Sequence, residues 1–166
     1  MPFVPVFSEV GESEFIEKLM VVVHRDMKAA LDFFYPPVLP DTGLPDFAAM
    51  TRGDTDVFVY PLLVLGLERM SSSDSTSGEW LDQDLTAGAG LVVRDNSVAA
   101  VETKAEKYVR AFKAVLRRDI LECLPSASQY LDYALDIEHR YFRHGTKGTE
   151  FVKPVEIRIR VRFGEK

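Results

Sequence analysis

The chain has 166 residues, 46% hydrophobic and 28% charged, enough for one globular domain with a substantial core. Its one cysteine, Cys123, excludes an internal disulfide and a cysteine-based zinc site and fits a reducing compartment. The net charge of −6 sets an overall field that opposes nucleic-acid binding.

That charge is unevenly placed. Residues 1–56 carry 10 acidic and 4 basic side chains, whereas residues 130–166 carry 6 acidic and 8 basic. An acidic first half and a mildly basic last quarter favour self-association through complementary faces. The opening MPFVPVFSEVGESEF has two prolines and no basic flank, so it does not read as a signal peptide. No apolar run reaches the ~18–20 residues that a membrane span needs.

Residues 13–34 are predicted as a helix, with Phe15, Ile16, Leu19, Met20, Val23, Met27, Ala30, Leu31 and Phe34 on one stripe. Ser13 is the expected N-cap, and Pro36 and Pro37 stop the helix. Residues 36–56 hold four prolines and two glycines and read as a long loop with a short turn near 46–50. Residues 57–70 read as a strand or a bent pair, residues 71–79 as a mobile hairpin tip, and residues 80–94 as the returning strand. Gly88 and Gly90 suggest a bulge or bend there.

Thr103 and Glu106 form a capping-box pattern that places a second helix start at Thr103, with residues 98–102 open between helix and strand. Ala105, Tyr108, Val109, Phe112, Val115, Leu116 and Ile120 make its apolar stripe. Residues 130–142 and 152–163 read as two strands of a hairpin. The expected fold is one α+β domain over residues 1–166, a mainly antiparallel sheet packed against two amphipathic helices, with a long flexible hairpin tip.

The last strand, VEIRIRVRF, alternates apolar residues with Glu156, Arg158, Arg160 and Arg162. An antiparallel register in which paired positions sum to 294 sets Asp136 opposite Arg158, Asp132 opposite Arg162 and Ala134 opposite Arg160. The leading reading is a charge-paired solvated face, the other a subunit contact; Arg160, unpaired in that register, is expected to reach a neighbouring subunit.

Several short motifs suggest chemistry and lose it in context. Asp41-Thr42-Gly43 matches the aspartic-protease triplet but follows Pro40 in a proline-rich loop. His24-Arg25-Asp26 lies inside a helix, Arg52-Gly53-Asp54 fits a turn, and Gly88-Ala89-Gly90 lacks a third glycine and the following helix. His24, His139 and His144 lack metal-ligand spacing, and Cys123 has no histidine near it in sequence. No catalytic, cofactor-binding or metal-ligating residue is expected. The remaining possibilities are a small enzyme or ligand-binding protein that uses the Asp41 loop, or a nucleic-acid accessory protein that uses the arginine strand.

The order of elements, with AEKYVRAFKAVL on the second helix and YLDYALDIEHRY on the following strand, resembles the tail terminator and neck (tail-completion) proteins of long-tailed bacteriophages. The resemblance spans residues 14–163, with Tyr108, Ala111 and Leu116 matching best; the 36–56 loop is longer than the pattern implies. It implies a structural virion protein without enzymatic activity or cofactor. Such proteins form a homo-oligomeric, hexameric ring that caps the tail tube and joins the head connector. The host cytoplasm would be its site of assembly, DNA would pass an acidic lumen without specific binding, and no membrane would be involved. Another ring-forming head–tail joining protein is the alternative. On this reading Lys107, Arg110, Lys113, Arg158, Arg160 and Arg162 are candidates for the subunit interface. Asp41, Asp46, Phe47, Ser73, Asp74 and Trp80 are candidates for docking the tube or connector.

Overall fold

The computed structural model describes residues 11–35, 48–51, 61–74, 81–124 and 130–165. Helix α1 covers Glu12–Phe34. Its N-cap is Gly11, in extended conformation and without a side-chain cap, so Ser13 lies inside the first turn and not at the cap. The hydrogen bond from Phe15 N–H to the Gly11 carbonyl, at 3.0 Å, closes that turn. The predicted stripe is buried at Phe15, Ile16, Leu19, Val23, Met27 and Leu31, and Val22 joins it.

The sheet contains β1 (Ala48–Thr51), β2 (Leu62–Asp74), β3 (Leu81–Asp95), β4 (Tyr130–Tyr141), β5 (Gly145–Lys147) and β6 (Glu150–Glu165). The spatial order is β1-β2-β3-β6-β4, with β5 also on β6. All pairs are antiparallel except β1–β2, which is parallel. The expected turn near 46–50 is therefore corrected in part: Ala48–Thr51 is an edge strand. The expected hairpin tip at 71–79 is shortened, because Ser71–Asp74 continue β2 in register with Leu81–Asp84; residues 75–79 lie outside the described residues. The irregularity near the glycines falls on the partner strand, between Leu67 and Arg69 of β2, so Glu68 is the bulged residue.

Helix α2 (Val98–Asp119) starts five residues before Thr103. Ser97 is the N-cap, its Oγ accepting from Ala100 N–H at 3.1 Å, and Thr103 is an exposed interior position. A 3₁₀ turn, Ile120–Cys123, follows. Every residue of the predicted α2 stripe is buried.

Both helices cover one face of the sheet. Phe15, Leu19 and Met27 of α1 share a core with Tyr108, Phe112 and Leu116 of α2 and with Leu85, Leu91, Ile157 and Ile159 of the sheet. Helix α1 lies against β1 and β2, and α2 lies against β3 and β6. Burying side chains of this size stabilises the domain by roughly 1.5–3 kcal/mol each. Because strand side chains alternate, the even-numbered residues of β6 point away from the helices. The expected α+β architecture is the one observed.

Candidate functional site: the charged face of the sheet

In β6 the core-facing residues Val155, Ile157, Ile159, Val161 and Phe163 are at most 4% exposed, while Arg158 and Arg160 on the other face are 53% and 51% exposed at their side chains. The sequence correctly separates these two faces. It does not identify the arginines' partners. Ile137 stands opposite Ile159, so paired positions sum to 296 and not 294. Glu138 faces Arg158, Asp136 faces Arg160, Ala134 faces Arg162 and Arg140 faces Glu156. The turn explains the offset. Lys147 and Glu150 of β5 and β6 flank a two-residue turn with Gly148 at φ 65°, as the tight primed hairpin turns require. This small hairpin takes up the chain that a plain open loop would have used.

The second side of β6 is β3, whose paired residues lie from 56 (Asp95 and Phe151) to 84 (Leu81 and Glu165) positions earlier in the chain, and it supplies the bidentate contact to Arg160. Arg160 Nε donates to Asp84 Oδ1 at 3.0 Å and to Oδ2 at 3.1 Å, and Nη2 also reaches Oδ2. Arg160 therefore has a partner inside its own subunit, contrary to expectation. The Arg160 guanidinium holds the Asp84 carboxyl below its ordinary range, against a smaller opposing effect of burial. Arg158 Nε donates to Glu68 Oε2 at 3.2 Å. The bulge brings Glu68 to Arg158, because an added residue re-aims the side chains that follow it. Asp82 and Asp84 are two residues apart on β3 and share a face, the sequence signal that would have found Asp84.

These residues surround an open depression of about 480 Å³, whose charged walls are Glu68, Arg69, Asp84, Asp136, Glu138, Arg158 and Arg160. Four carboxylates face three guanidiniums there, so the depression does not concentrate positive charge for a phosphate backbone. Among the described residues no group of three or more His, Cys, Asp or Glu could hold a metal ion. The Cys123 thiol is buried, and burial first, then Glu122 and Asp119, push its pKa up to about 12, so it stays protonated and inert.

The α2 cations are on the other side of the sheet from the arginines, so the six interface candidates do not form one surface. Arg110 lies 4.4 Å from the Phe34 ring centre and Lys107 5.0 Å from that of Tyr35, which fastens the end of α1 to α2. Lys113 is half-buried; burial first, then Arg117, holds its ammonium below its ordinary range. Ser73 and Asp74 are in β2, opposite Asp82 and Leu81. Asp41, Asp46, Phe47 and Trp80 lie outside the described residues. Tyr108, Ala111 and Leu116, which carry the resemblance, are fully buried and so shape the core and not a surface.

No protein-family model matches the chain, and no curated protein matches it significantly. No helix among the described residues is long and apolar enough to cross a membrane.

Proposed function

We propose that the protein is a structural subunit of a bacteriophage tail or neck, a tail-terminator-like ring that caps the tail tube and meets the head connector. The observation that carries this reading is the two-sided sheet. Both helices cover one face, and the other exposes a near-neutral lattice of paired charges, a surface suited to specific packing and poor in reactive groups. The element order along the chain supports it, as does the charge asymmetry between the first 56 residues and the last 37. Repeated around a ring, a chain of net charge −6 gives a lumen that DNA traverses without adhering. On this reading the protein has no enzymatic activity and resides in the virion. Another ring-forming head–tail joining protein is the alternative within the same class.

Electron microscopy of the purified protein, alone and with tail tubes, tests the proposal. Six-fold rings, free or at tube ends, are expected. A monomer under both conditions, or nanomolar DNA binding at physiological salt, overturns it.

A further inference from the structure

Strand β4 ends the sheet, with no strand beyond it among the described residues. Phe142 N–H donates to the Pro154 carbonyl at 3.1 Å, in step with the β4–β6 register. In an antiparallel ladder both backbone groups of a residue point to the same side, and the side alternates along the strand. Even-numbered β4 residues therefore bond to β6, and Leu135, Ile137, His139 and Tyr141 turn their N–H and C=O groups outward. The strand is also incompletely covered on its helix side: Tyr133 and Tyr141 are 42% and 38% exposed.

We infer that β4 pairs with β4 of a second copy of this chain, antiparallel about a two-fold axis at His139. It goes beyond the ring reading, because a closed cyclic ring joins subunits head to tail whereas this contact is isologous. Charge selects the partner and the register. With the axis at His139, Glu138 faces Arg140 of the second copy twice, and Tyr141 faces Ile137 twice. Each own-chain neighbour continues the pattern, since Arg140 faces Glu156 and Glu138 faces Arg158. The result is rows of alternating sign across four strands, Glu156–Arg140–Glu138–Arg158, with the middle contact between copies. Neighbouring registers are less favourable. An axis at Glu138 keeps alternating rows through two Asp136–Arg140 pairs but sets Glu138 against itself at the centre, one at Ile137 sets Asp136 against Glu138 twice, and one at Arg140 sets arginine against arginine; the axis at His139 alone among these has no like-charge contact, and such contacts destabilise a sheet.

Cross-linking tests the axis. Residues in a hydrogen-bonded antiparallel pair have Cα atoms about 5.5 Å apart, within disulfide reach. Oxidised His139→Cys should run as a covalent dimer on a non-reducing gel. Glu138→Cys and Ala134→Cys should stay monomeric under the same treatment, as should the wild type, whose Cys123 is buried. Circular dichroism checks that each variant is folded. A folded H139C that does not cross-link overturns the pairing, and preferential cross-linking of E138C overturns this register. Rings seen without the disulfide, or the disulfide without rings, separate failure of one proposal from failure of the other.

Discussion

Arg160 illustrates how a residue's role depends on a neighbour distant in sequence. Its exposure follows from parity along β6, and parity is visible in the sequence. Its partner Asp84 is 76 positions away and comes from the strand on the far side of β6. Charge reversal here therefore acts on folding. Arg160→Glu would set a third carboxylate beside Asp84 and Asp136, removing the charged hydrogen bonds and adding repulsion, both moderated by exposure. A denaturation midpoint that falls at constant slope is the expected result. An unchanged midpoint would show that the Asp84 pairing does not contribute.

At the scale of elements, the start of α2 distinguishes two capping signals. Thr103-Lys104-Ala105-Glu106 has the capping-box pattern, yet Ser97 caps the helix. The preceding segment decides it. Strand β3 runs to Asp95, where Arg94 pairs with Glu150 and Asp95 pairs with Lys104, so the chain must turn at Asn96–Ser97. Val101 then enters the core as a helical residue. Ser97→Ala should destabilise the protein by about 1 kcal/mol. Thr103→Ala should be neutral or slightly stabilising, as alanine is the better helix former. Thermal melts of the two variants side by side would reveal the reverse order if Thr103 were the cap.

Across the whole molecule, carboxylates held below their ordinary range tie α1 to α2 and the turn after it at one end, and α2 to the sheet at the other. Glu122, beyond α2, receives Arg25 of α1 at 2.7 and 3.1 Å. Arg25, and secondarily Arg118, hold Asp26 low against the opposing effect of burial. At the other end Lys153, nearly buried on β6, meets Glu102 at 2.9 Å and holds it low. A carboxylate whose folded pKa is depressed adds stability above its unfolded pKa and loses it as pH falls through the folded value. The melting temperature should therefore be flat near neutrality and drop below about pH 4. A melting temperature that rises on acidification would contradict the assignment of these pairs.

The sequence by itself determined the helix stripes, the two faces of every alternating strand and the α+β class, because these depend on local periodicity. It also indicated which surface would be charged. It left undecided which charges meet, since strand register depends on a turn and β3 reaches β6 across the whole second helix. The parallel edge strand β1, the bulge at Glu68 and the separation of the α2 cations from the arginine strand were likewise decided by tertiary structure. Each depends on contacts between segments far apart in the chain, and such contacts are settled only when the shared core closes between the helices and the sheet.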